Sequence, residues 1–152
     1  MSSKNHIQTL RTTSHSFCKA LESPPAPKDL LSKFFTTNPK VTEHGPEWAR
    51  SRLPFLSKTY TGKDEFLEYF STLSSILSMK MDPAPPMSSF AVDEAGETVF
   101  VQGGGEFESV RTGKAWKEKF VYRFSEFGEE GKIGHWEIWA DPLSAWEAVG
   151  GD

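Results

Sequence analysis

ETVFVQGGGEFESVRTGKAWKEKFVYRFSEFGEEGKIGHWEIWAD, residues 97–141, decides the fold. Within it apolar and polar residues alternate. Trp116, Glu118, Phe120, Tyr122 and Phe124 fall on one side of an extended chain, and Lys117, Lys119, Val121 and Arg123 on the other. RTGK (111–114) and GEEG (128–131) are turn signals, so the segment is predicted to form strands near 98–110, 114–126 and 132–140. A shorter stretch, SSFAVDEAG (88–96), precedes them after the Pro-rich break MDPAPPM (81–87). Such closely spaced strands joined by turns form a meander.

The preceding half has a different period. Ile7, Leu10, Phe17, Cys18 and Leu21 keep helical spacing and predict a first helix near 4–21. After ESPPAP, the apolar side of Leu30, Leu31, Phe34 and Phe35 predicts a second near 28–36. KVTEHGP (40–46) reads as a short strand stopped by Gly45 and Pro46, and EWARSRLPFLSKTY (47–60) as a long aromatic connection. Phe66, Phe70, Leu73 and Leu77 predict a third helix near 62–78, with Thr61 as its cap and acids in its first turn. Helices first and strands after argue for an α+β fold, with the helices on one face of a mostly antiparallel, strongly bent sheet. Neither a repeat nor a linker divides residues 1–152, so one domain is expected.

Composition limits the function. A net charge of −4 argues against nucleic acid or an anionic membrane as partner, since both call for a basic face. The one cysteine, Cys18, can form no intramolecular disulfide, which suits a reducing, cytoplasmic location. Neither a membrane-spanning run nor a secretory signal is apparent. Lys4, Arg11 and Lys19, with no acid before Glu22, can also read as an organellar transit peptide, but the helical spacing favours an integral first helix. QGGGEF (102–107) lacks the Lys-Ser/Thr ending of a phosphate loop, and Gly103 to Gly105 suit a sheet bend or a close backbone approach. The four histidines lack zinc spacing, and Cys18 has no base within sequence reach. Neither a metal nor a cofactor is expected.

The order helix, helix, VTEHGP, LPFLSKTYTGKDEFLEYF, long strands and a closing GKI, eight residues, Asp and short helix resembles the nuclear transport factor 2-like superfamily. Within it, the SnoaL-like group of small polyketide cyclases is the nearest likeness. The resemblance covers nearly the whole chain and implies a cone, in which a curved sheet wraps a pocket closed by the helices of the N-terminal half. It also implies a homodimer through the outer sheet face.

In that cone the face bearing Trp116, Glu118, Phe120 and Tyr122 is the inner one. Glu118 then lies among aromatic groups and is a candidate general base, unless it reaches water at the strand end or pairs with Arg111 or Lys114. The last strand carries His135 and Glu137 two residues apart, a pair that SnoaL-like cyclases often project inward. Anchoring on GKI and Asp141 instead points Gly134, Trp136, Ile138 and Ala140 inward and His135, Glu137 and Trp139 outward, although a one-residue bulge would reverse this. His44 falls where many relatives carry a His, but the acid that often follows is Gly45 here. His44 is therefore either a base at the mouth or a loop hydrogen-bonder. Trp48, Phe55 and Tyr60 are expected at the lid or rim.

Two functions are compatible with these residues. One is an apolar pocket, walled by Trp116, Phe120, Trp136 and Ile138, that binds a small hydrophobic or aromatic molecule. The other is a cofactor-independent cyclase, isomerase or dehydratase in which Glu118 or His44 removes a proton and Tyr122 or Tyr60 steadies the oxyanion. Convergence of two titratable groups in the cone would separate them.

Overall fold

The computed structural model describes residues 3–150. Helix α1 (Lys4–Ala20) starts at Ser3, whose side chain accepts a hydrogen bond from the His6 amide. Helix α2 (Pro27–Phe34) has proline in its first turn, where no amide donor is needed, and α3 (Lys63–Ile76) has Asp64 and Glu65 in its own. The expected cap Thr61 lies instead in strand β2 (Thr59–Thr61). Gly62 occupies the N-cap with φ 89°, a conformation that residues with a Cβ rarely adopt. A fourth helix, α4 (Pro142–Gly150), closes the described chain, and the Asp141 carboxylate accepts from the Ser144 amide at its start.

Seven strands form one mixed, unclosed, curved sheet: β1 (Phe35–His44), β2, β3 (Leu77–Met81), β4 (Ala91–Val92), β5 (Val99–Ser109), β6 (Ala115–Ser125) and β7 (Ile133–Trp139). The order is β2-β1-β7-β6-β5-β3, with β4 also on β5. All pairs are antiparallel except β1 with β7, so the first and last long strands lie side by side and run the same way. The three long C-terminal strands fall within about a residue of the expected bounds. The chain departs from expectation elsewhere. Strand β1 is ten residues long and begins at Phe35, inside the predicted second helix, and β3 takes over from α3 at Leu77. Burial accounts for both, because Phe35 and Leu77 bury their side chains equally well from a strand.

The inner sheet face and the helices bury a mainly aromatic core. Trp136 is its hub: its ring meets Phe17 at 4.9 Å, Tyr122 at 5.3 Å and Phe70 at 6.0 Å between centroids. The last strand keeps its register without a bulge against β6, which leaves Trp136 and Ile138 buried and Trp139 on the opposite face. Gly103 pairs with Phe120, and a Cβ there would stand 2.7 Å from the Phe120 ring, so the glycine admits that ring over the bent sheet.

Because the hub is buried among aromatic rings, Trp136→Ala is expected to cost about 3–5 kcal/mol in urea denaturation. Trp139→Ala, on the exposed face, should cost about 1 kcal/mol or less. Equal losses would contradict the observed register.

Candidate functional site

Between the sheet and the helices lies a cavity of about 860 Å³ with mostly apolar walls. Its walls include Phe55, Phe70, Phe120, Trp136 and Ile138, and its rim includes the Pro24–Pro27 turn and exposed Lys28 and Lys80. Four carboxylates, Glu22, Glu43, Glu118 and Asp141, and two tyrosines, Tyr69 and Tyr122, also border it.

Glu43 was not anticipated from sequence. Strand β1 pairs Val41 with Trp136 and Glu43 with Ile138, so Glu43 shares the inner face with residues that must be buried. Tyr69, from α3, donates a hydrogen bond to Glu43 Oε1 at 2.7 Å. What remains accessible of Glu43 borders the cavity, and its surroundings are otherwise protein interior. Desolvation therefore pushes its pKa up to about 7, with the Tyr69 hydrogen bond opposing the rise and the negative charge of Glu118 adding to it.

Glu118 sits on β6 opposite Gly105, where no side chain stands beside it on β5. Arg111 donates instead to the Val149 carbonyl. Trp116 Nε1 donates to Glu118 Oε1 at 2.7 Å and the Asp141 amide to Oε2 at 3.0 Å. Burial raises its pKa, and both hydrogen bonds oppose the rise. Tyr122 is buried, and desolvation holds its hydroxyl proton firmly. Its hydroxyl has no hydrogen-bond partner among the described residues, and the Trp136 indole N–H is likewise buried without one.

Several expected site residues lie elsewhere. His44 borders the cavity, but its ring stacks on Trp139 at 4.3 Å and its Nε2 lies 3.1 Å from Glu137 Oε1. Strand alternation turns its ring to the outer face, beside Glu137. Glu137 is also held there by Arg123 at 2.6 Å, and His135 by Thr42 at 2.9 Å. Trp48 does not wall the cavity: it is 63% exposed and meets Trp146 edge-on. Tyr60 packs on Tyr69, outside the cavity wall, and Trp116 stacks on Phe107 and serves Glu118 from behind. Burial pushes the Cys18 thiol up to about 12, which leaves no thiolate at neutral pH. Among the described residues no group of three or more His, Cys, Asp and Glu could hold a metal ion, and no helix is long and apolar enough to cross a membrane.

No family model matches the chain, and no curated protein matches it. Solved structures do. A nuclear transport factor 2-like protein of unknown function from Burkholderia pseudomallei is 22% identical over 98% of both chains, with a TM-score of 0.70. A candidate isomerase from Bacillus subtilis is 17% identical over 97% of both chains, with a TM-score of 0.74. A candidate SnoaL-like polyketide cyclase from Jannaschia is 14% identical over 100% of this chain and 98% of that one, with a TM-score of 0.69. The chain has the nuclear transport factor 2-like fold, the cone in which such SnoaL-like proteins are built.

Glu43 also leaves a signature in stability. Unfolded, it ionises near 4.5; folded, it holds its proton to about 7. The folded state thus binds the extra proton between those values, and stability falls as pH rises through them, by about 3 kcal/mol in all. Glu43→Gln removes this loss. The variant should gain on the wild type between pH 5 and pH 8 in urea denaturation, and a difference that ignores pH would contradict the assignment.

Proposed function

We propose that the cone binds a small apolar or aromatic molecule bearing a carbonyl group and moves a proton on it without a cofactor, as an isomerase, cyclase or dehydratase would. The observation that carries this reading is the Glu43–Tyr69 pair at 2.7 Å inside an apolar cavity. A carboxylate with a pKa of about 7 is divided between base and acid at neutral pH, which suits it to take a proton and return it. In the forward step the C–H bond beside the carbonyl breaks, its proton passes to Glu43, and the electron pair moves into the enolate. Tyr122, which borders the same cavity, would donate its O–H to the enolate oxygen. Returning the proton to another carbon yields an isomer. Attack of the enolate carbon on a second carbonyl closes a ring, and the proton then goes to the new alkoxide.

This reassigns the proton-transfer role from Glu118 and His44 to Glu43 and keeps Tyr122 as the oxyanion donor. Phe55, Phe120, Trp136 and Ile138 remain the ligand walls.

The base can be tested without knowing the natural substrate. 5-Nitrobenzisoxazole is a flat apolar molecule that opens when a base removes its C–H proton. Wild-type protein should accelerate this opening, with a rate rising through pH 7. Glu43→Gln should lose at least about a hundredfold, and Glu137→Gln, on the outer face, should keep the wild-type rate. A wild-type rate equal to that of Glu43→Gln would overturn the catalytic reading and favour the simpler one, a binding site for an apolar molecule.

The reading includes two copies joined through the outer sheet face. Phe100 and Trp139 are 42% and 40% exposed there, an apolar area that pairing would cover. Solution scattering should give the mass of a dimer, and a stable monomer would contradict it.

A further inference from the structure

Strand pairing sets the spacing of the polar groups on the inner face. Glu43 on β1 pairs with Ile138 on β7, and Ile138 with Tyr122 on β6, so the three stand in one row across the sheet. Two strand spacings, about 10 Å, separate the backbones of Glu43 and Tyr122. Glu118 shares that face but precedes Tyr122 by four residues, about 13 Å along β6. Between them stands Phe120, whose ring stacks on that of Tyr122 at 4.7 Å between centroids. Phe120 and Glu118 both border the cavity, and their partners on β5, Gly103 and Gly105, bring no side chains beside them. A molecule with its carbonyl at the row of Glu43 and Tyr122 therefore meets Glu118 only after crossing the Phe120 ring.

Of the four carboxylates on the cavity, Glu118 is the one placed to receive a donor there. Glu22 is exposed at the rim, where it accepts from the Ala84 amide. Ser144 engages both oxygens of Asp141, one with its amide and one with its hydroxyl. Glu43 belongs to the row beside Tyr122 and is bonded by Tyr69. Glu118 is half-buried and held at both oxygens, by the Trp116 indole at 2.7 Å and the Asp141 amide at 3.0 Å. A carboxylate has about four acceptor positions, and these bonds use two. The two donors also fix the group before a ligand arrives. Such an acceptor favours a ligand that brings a hydroxyl to it. It penalises one that covers it with C–H groups, since the carboxylate then loses water and gains no bond.

We propose that Glu118 is a specificity-determining residue that accepts a hydrogen bond from a hydroxyl group of the ligand. The ligand is then a flat apolar molecule whose hydroxyl lies across a ring system from its carbonyl, with the rings on Phe120. Glu118 takes no part in the proton transfer. The inference rests on the reading of the cone as a site for an apolar carbonyl compound, and names a second group on that compound.

Two probes test it. 2-Acetylnaphthalene carries a carbonyl at one end of two fused rings, and 6-hydroxy-2-acetylnaphthalene adds a hydroxyl at the other end. Their dissociation constants are measured by calorimetry at neutral pH. A hydroxyl buried in an apolar cavity without a partner weakens binding, so a preference for the hydroxy compound reports a partner. Wild type should prefer it by about tenfold or more. The preference should vanish in Glu118→Leu, which has no acceptor, and shrink to about threefold in Glu118→Gln, which keeps a neutral one. Both variants are checked for native near-ultraviolet circular dichroism. Equal binding of the two compounds to the wild type would overturn the proposal without any variant, as would a preference that survives in folded Glu118→Leu. A preference kept in Glu118→Leu but lost in Glu43→Gln would overturn it too, and would assign the hydroxyl to Glu43. Proton transfer does not enter this measurement. A protein that prefers the hydroxy compound but fails to open 5-nitrobenzisoxazole refutes only the proposed reaction, and one that opens it but binds both probes equally refutes only this inference.

Discussion

The parallel pairing of β1 with β7 is the constraint on which the rest of the molecule depends. It joins the helical first half of the chain to the meander of the second and places Val41 beside Trp136 and Glu43 beside Ile138. Because side chains alternate along both strands, one register settles two faces together. Inward go Trp136, around which the aromatic core assembles, and Glu43. Outward go Thr42, His44, His135 and Glu137, which bond to one another across the same strand pair. A shift of one residue in β1 would bury His44 and expel Val41, so the apolar core enforces the position of the carboxylate.

That enforcement explains how an acid comes to lie in an apolar cavity. Burying a carboxylate costs several kcal/mol unless it is neutralised or well bonded. The protein supplies one hydrogen bond from Tyr69 and, among the described residues, no ion pair, so Glu43 meets the cost by keeping its proton to a higher pH. The burial is thus destabilising at neutral pH, and it is tolerated by a core rich in Phe, Tyr and Trp. Sites that hold a group at such a disadvantage are where function is to be sought.

Much of the fold was legible in the sequence, because the change of apolar period from helical to alternating occurs once, at the Pro-rich break, and three long strands carry clear turn signals. The inward register of Trp136 and Ile138 was legible for the same reason. The start of β1 at Phe35 was not: consecutive Phe34 and Phe35 fit the apolar side of a helix as well as the first inward position of a strand. At the site, alternation identified the inner face of β6, and Glu118 with it. At β1 the family resemblance pointed to His44 rather than to its neighbour, although Val41 in VTEH already implies that Glu43 shares its face. The pairing of Glu43 with Tyr69 had no sequence signal, since it depends on how α3 crosses β1. The exposure of Trp48 and the stacking of Trp116 on Phe107, outside the cavity wall, likewise depend on loop and edge packing that periodicity does not describe.

The central claim is that Glu43 is a proton carrier enclosed in the cavity, and its own titration tests this most directly. With glutamate side chains labelled with carbon-13 and Glu43 assigned through Glu43→Gln, the account expects a carboxyl midpoint near 7, well above the exposed glutamates in the same spectra. A midpoint in the ordinary carboxylate range, near 4.5, would mean that Glu43 is solvated and ionised at neutral pH, and would contradict the account.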